Sequence, residues 1–103
     1  MATSKSFLEY AMEQFSGIDV TYRPIMGEYC LYCRGVLFGG LYDNRVLVKR
    51  TVGNAAYGMR EEIPYNGAKP MYYLDIDDAE NARAIVESTT AELAALPKKN
   101  KKK

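Results

Sequence analysis

Two dipeptides, Arg34-Gly35 and Asp43-Asn44, constrain this chain more than any other feature. Each separates two apolar runs and supplies residues suited to positive φ, which two-residue hairpin turns demand. With both turns two residues long, the register of Thr21–Lys49 follows. Cys33 faces Val36, Leu31 faces Phe38, and Tyr29 faces Gly40. Across the next hairpin Tyr42 faces Arg45, Leu41 faces Val46, and Gly39 faces Val48. Alternation puts Tyr29, Leu31, Cys33, Val36, Phe38, Tyr42 and Leu47 on one face, with Arg45 and Lys49 near its edge. The other face carries Cys30, Tyr32, Leu37, Leu41, Val46 and Val48, with Glu28. Both faces are largely apolar, so each requires cover. Gly39-Gly40 lies mid-strand, and a bulge there would reverse the parity after it and exchange part of the two sets.

The flanking segments complete a two-layer plan. Ser4 to Ser16 reads as a helix with Leu8, Ala11, Met12 and Phe15 on one face. Ser6-Phe7-Leu8-Glu9 fits a capping box, Ser4 is the alternative cap, and Gly17 closes the C-terminus. Val20 to Pro24 is a strand, turned by Met26-Gly27 into the meander. Thr51 to Tyr57 is expected to form a short helical crossing capped by Thr51, and Met59 to Lys69, with Pro64 and Gly67, an exposed loop. Met71 to Ile76 reads as a fifth strand. Asp77 and Asp78 cap a long helix from Ala79 to Leu96, which carries Ala82, Ile85, Val86, Thr89, Leu93 and Leu96 at helical spacing and stops at Pro97. The fold class is therefore α+β, an antiparallel meander with an N-terminal and a long C-terminal helix. One domain is expected over residues 1–97, followed by a disordered, lysine-rich tail over 98–103.

Charge narrows the functions. The formal net charge is +1, but five of the 14 basic residues are the tail lysines, and without them nine basic residues stand against 13 acidic ones, a body of −4. A fold that grips nucleic-acid backbone normally has a basic body, so only weak nucleic-acid attraction through the tail is expected. No apolar run is long enough to span a membrane, and Met1–Ser6 lacks the apolar core of a signal peptide, so a cytoplasmic location is expected.

Chemistry has little signal. Cys30 and Cys33 lie three apart on a strand, where side chains diverge to opposite faces. The chain has no histidine and no other cysteine to complete a zinc site. The acidic oxygens of Asp75, Asp77 and Asp78 would suit Mg²⁺ or Ca²⁺, but helix capping already accounts for Asp77 and Asp78. No phosphate-binding glycine loop is present. The expectation is a protein without enzymatic activity, metal or cofactor.

Several residues resemble the N-terminal domain of the TfoX/Sxy regulators of competence genes. Arg23-Pro24-Ile25-Met26-Gly27 looks like that family's turn, and Tyr29–Tyr32, Gly35, Phe38-Gly39-Gly40, Leu47-Val48-Lys49 and Lys69-Pro70-Met71-Tyr72-Tyr73 continue the likeness. The resemblance runs from Ser4 to Leu96. It implies a fold similar to secretion chaperones and a role as a transcriptional co-regulator working through protein contacts. Among the matching positions, Arg23, Lys49, Arg50 and Lys69 are candidates for a partner or anion patch, although charge on edge strands also serves to discourage pairing. The alternatives are a direct nucleic-acid binder and a small-molecule-binding domain. Because both helices fit on one side of the sheet, the second apolar face predicts a homodimer or a waiting protein partner. The contact would be on that face or on Thr51–Lys69.

Overall fold

The computed structural model describes residues 2–96; the lysine tail and the Pro97 stop lie outside the described residues. The order is α1 (Lys5–Gln14), β1 (Val20–Ile25), β2 (Glu28–Cys33), β3 (Val36–Leu41), β4 (Val46–Val48), a 3-10 helix (Asn54–Tyr57), β5 (Glu61–Glu62), β6 (Met71–Tyr73) and α2 (Ala79–Ala95). Six antiparallel strands form one sheet in the order β1-β2-β3-β4-β6-β5. The fold class is α+β, as the sequence predicts.

Three two-residue turns drive the meander. Met26-Gly27, Arg34-Gly35 and Asp43-Asn44 all have positive φ at both positions, the geometry whose twist matches paired strands. Cys33 pairs with Val36, and Leu41 with Val46, as expected. Between these turns the register slips. Tyr32 pairs with Leu37 but Leu31 pairs with Gly39, leaving Phe38 as an extra residue. Leu31 opposite Phe38 and Tyr29 opposite Gly40 are thus corrected to Leu31 opposite Gly39 and Tyr29 opposite Leu41. The bulge begins one residue before the glycine pair.

Its consequence is a reassignment of the faces. Leu41, Val46 and Val48 join Leu31, Cys33 and Phe38 in one buried cluster with Leu8, Ala11 and Phe15 of α1 and Ala82, Ile85 and Val86 of α2. The ring of Phe15 meets that of Phe38 edge to face at 6.2 Å. Tyr42, Arg45, Leu47 and Lys49 move to the opposite face with Cys30, Tyr32 and Leu37. Leu47 is fully buried there without joining the helix-side cluster. The glycines make the bulge fit. A Cβ on Gly39 would stand 2.1 Å from the Leu47 carbonyl oxygen, and one on Gly40 would stand 2.6 Å from that of Tyr29 and 2.8 Å from the Tyr42 ring.

Both helix starts follow from capping. Ser4, not Ser6, is the N-cap of α1, its hydroxyl accepting from the Phe7 amide at 3.1 Å. Position 4 wins because the chain before it is already fixed to two turns. Thr3 N–H donates to Gly27 O, Thr3 Oγ1 bonds the Glu28 carboxylate at 2.6 Å, and Asn44 Oδ1 accepts from the Ser4 amide. Asp78 caps α2 through the Asn81 amide. The expected fifth strand is shorter than read, ending at Tyr73, while Leu74 and Ile76 continue into the core as irregular chain. The Met59–Lys69 segment is not simply an exposed loop, since it contributes β5 and buries Pro64.

Replacing Gly39 by alanine is expected to destabilise the fold by about 3 kcal/mol, the upper part of the range for overpacking, because the obstruction is backbone. Urea denaturation measures it; a loss below about 1 kcal/mol would show that the strands separate freely at the bulge.

Candidate functional site

The second face is not bare. Residues 63–70 cross it as a strap, and Arg45 attaches the strap to the sheet. Arg45 and Tyr42 exchange both backbone hydrogen bonds at the base of their hairpin. From there the guanidinium donates back to Tyr42 O at 3.0 Å, to Glu62 Oε1 at 2.6 Å, and to the carbonyls of Ile63 and Pro64 at 3.3 Å each. Arg60 donates to the other Glu62 oxygen at 2.6 Å and lies over the Tyr73 ring, 4.3 Å from its centre. Hydrogen bonds from Arg45 and then Arg60 hold the Glu62 carboxyl below its usual range. The Tyr65 ring tilts against Tyr42 at 6.0 Å, and burial pushes the Tyr42 hydroxyl above its ordinary value, so it stays neutral.

The strap divides this face into two clefts that share Cys30, Tyr42, Pro64 and Tyr65. The larger, about 910 Å³, is bounded by Ile25, Met26, Glu28, Asp43, Arg45, Ile63 and Asn66. The smaller, about 520 Å³, is bounded by Leu37, Lys49, Arg50, Ala68, Lys69, Pro70 and Met71. Ile25, Met26, Ile63 and Tyr65 are all exposed, Met26 at 96%.

Of the four basic residues singled out in the sequence, the structure brings Lys49, Arg50 and Lys69 together on the smaller cleft. Arg23 stands apart on edge strand β1, beside Tyr32 and Gly35. Arg50 is paired with Glu61 at 3.1 Å; among the described residues no carboxylate lies within 4.0 Å of the Lys49, Lys69 or Arg23 side-chain nitrogens. The motif residues divide between architecture and rim. Gly27 and Gly35 make turns, Phe38 fills the core, Gly39 and Gly40 admit close neighbours, and Tyr29 packs on Tyr22 at 5.5 Å. Pro24 lies on the edge strand, while Met26 rims the larger cleft. Sequence reasoning did not single out Arg45, Ile63 or Tyr65. Their signal was spread over a turn and a loop with no periodicity.

The basic rim is held from behind by Asn54, which is completely buried. Its Nδ2 donates to Lys49 O at 2.8 Å and to Thr89 Oγ1 at 3.0 Å, and its Oδ1 accepts from the Thr51 amide at 2.8 Å. The N-cap of the 3-10 helix is Gly53 rather than the expected Thr51, although the Thr51 hydroxyl accepts from the Asn54 amide at 3.0 Å. The Glu92 carboxylate receives the Gly53 amide at 3.0 and 3.1 Å, tying the same turn to α2.

The thiols and the Asp75–Asp78 carboxylates are accounted for by the fold. Cys33 is buried in the helix-side core and Cys30 is half-buried on the opposite face, so the thiols diverge as strand alternation requires. Asp75 accepts from the Asp77 amide, Asp77 from the Tyr10 hydroxyl, and Asp78 from the Asn81 amide. The Asp77 contact raises the Tyr10 hydroxyl above its usual pKa. Among the described residues no group of three or more Cys, Asp or Glu is placed to hold a metal ion.

Replacing Asn54 by alanine strands several buried partners, and a loss of about 3 kcal/mol in denaturant is expected. A loss under about 1 kcal/mol would mean that water takes over its bonds. Glu62 generates a pH dependence. Its carboxyl is depressed on folding, so its contribution is complete above the ordinary glutamate range and is lost as pH falls through the lower folded value. The Tyr65 ring resonances are expected to shift over that acidic window in the wild type and not in Glu62→Gln. An identical titration in the variant would dissociate strap attachment from Glu62.

No family model matches the chain. At the level of whole sequences it is similar to an uncharacterized 12.7 kDa protein in the trpE 5′ region of Spirochaeta aurantia, with 33% identity over 108 residues. The similarity covers 100% of this chain and 93% of the relative, so strands, strap and both helices all fall within it. The chain belongs to the family of that Spirochaeta aurantia protein.

Proposed function

We propose that this protein is a non-catalytic, cytoplasmic interaction module that takes a protein partner on the strap-bearing face of its sheet. The observation that carries the reading is the grouping of Ile25, Met26, Ile63 and Tyr65 as exposed side chains around one cleft of about 910 Å³. Large apolar side chains gathered on a concave surface are the mark of an interaction site, whereas single exposed ones need no explanation. The resemblance to the TfoX/Sxy N-terminal domain supports a regulatory role, with the transcription machinery as the partner class.

Two further points support a protein partner. The folded body is net acidic, which disfavours phosphate backbone. The cleft walls are set by Arg45 and the Tyr42–Tyr65 contact, so less ordering is needed on binding. A second copy of the chain is the alternative occupant of the same face.

Affinity capture from host extract, with and without nuclease, tests the reading against an Ile63→Asp variant. Ile63 is 46% exposed, so its replacement should leave the fold intact. A nuclease-resistant partner retained by the wild type and lost by the variant is expected, with a monomeric mass in sedimentation at micromolar concentration. A dimeric wild type that Ile63→Asp converts to monomer would replace the partner by a second copy. Nuclease-sensitive capture, or capture equal for both proteins, would overturn the module.

A further inference from the structure

The smaller cleft differs in charge from the larger one, which has Glu28 and Asp43 on its walls. The body carries 13 acidic residues, yet none of the side chains bounding this cleft is a carboxylate. Lys49 and Lys69 project there without an ion-pair partner among the described residues, and Arg50 adds a third cation that Glu61 partly neutralises. Between them the floor is apolar, built from Leu37, Met71 and the strap prolines. Lysine ammonium groups beside an apolar floor attract carboxylates and accept hydrophobic side chains together.

We propose that this cleft receives a short extended segment of a partner protein in which acidic residues flank an aliphatic or aromatic side chain. This rests on the interaction-module reading and specifies the partner's chemistry. The apolar side chain lies over Leu37 and Met71, and the acidic residues meet Lys49 and Lys69. The cleft reaches from Cys30 on β2 across β3 and β4 to Met71 on β6. Three strand spacings of about 4.8 Å make about 14 Å, the length of about four extended residues. Nucleic acid fits less well, because it needs a basic track along many phosphates and here Lys49, Arg50 and Lys69 cluster in one short cleft. A symmetric second copy fits less well too, since a two-fold axis through the cleft would set each lysine near its own counterpart.

Selection of a phage-displayed random dodecapeptide library on the full chain tests the proposal. Enriched peptides are expected to carry at least two Asp or Glu residues around an apolar one. A fluorescein-labelled synthetic copy should bind the wild type, bind Lys49→Glu/Lys69→Glu at least tenfold more weakly, and bind Lys49→Gln/Lys69→Gln with an intermediate loss. The milder pair keeps the test valid should charge reversal disturb folding. The same peptide should protect Cys30 from iodoacetamide. Cys33, with no exposed surface, is the internal unreactive control. No enrichment, enrichment of peptides without acidic residues, unchanged affinity in both lysine pairs, or displacement of the peptide by a 20-nucleotide single-stranded DNA at lower concentration would each overturn it. These results leave the Ile63-dependent capture untouched, because Ile63 belongs to the other cleft.

Discussion

The structure depends on one extra residue in β3. Because Phe38 and Gly39 occupy the space opposite a single step of β2, the parity of the chain reverses between the two hairpins. Phe38 keeps its place on the helix side, edge to face with Phe15, and Leu41, Val46 and Val48 are brought there beside it. Burying each such side chain stabilises the fold by about 1.5–3 kcal/mol, so no register without the bulge competes. The same reversal delivers Tyr42, Arg45, Leu47 and Lys49 to the opposite face. Without it there would be no Arg45 beneath the strap and no Lys49 at the cleft rim.

The strap then converts a flat apolar sheet into two concave surfaces. Exposed ion pairs are individually weak, but Arg45 also donates to three main-chain carbonyls, and Leu47 and Pro64 are buried on the same side. Electrostatics places the segment and burial retains it. On the other flank, Asn54 holds Lys49 through its carbonyl and ties that point to Thr89 of α2. Lys49 is therefore anchored to the core, while Lys69 is carried on the strap.

Much of the fold was legible where local chemistry decides it. Arg34-Gly35 and Asp43-Asn44 specify their turns without reference to anything distant, and the helix stripes reappear as buried faces. Gly39-Gly40 marked the bulge, though its onset at Phe38 depends on how Phe15 packs. The sequence leaves the cap of α1 between Ser6 and its alternative Ser4, because the bonds that settle it run from Thr3 and Ser4 to residues 27, 28 and 44. The second face was expected to lie open and is half-covered. The strap has no periodicity, and only the meeting of Arg45 with Glu62, Ile63 and Pro64 shows where it goes. Lys49, Arg50 and Lys69 were named from the sequence, but their convergence is a property of β4 lying beside β6.

The two ends of the sheet restrict how this protein can meet others. Pairing around the Met26-Gly27 turn leaves Val20, Tyr22 and Pro24 as the outward-facing positions of β1. Val20 already donates its amide to Ile18 O, and proline has none, so Tyr22 keeps the lone outward donor of that strand. At the far end β5 is two glutamates long, held by Arg45, Arg50 and Arg60. Each border thus offers an added strand few backbone donors. On β1, continuing the sheet from one molecule into the next would have to start from that single Tyr22 amide, whereas the strap-bearing face offers side chains from β2 across to β6.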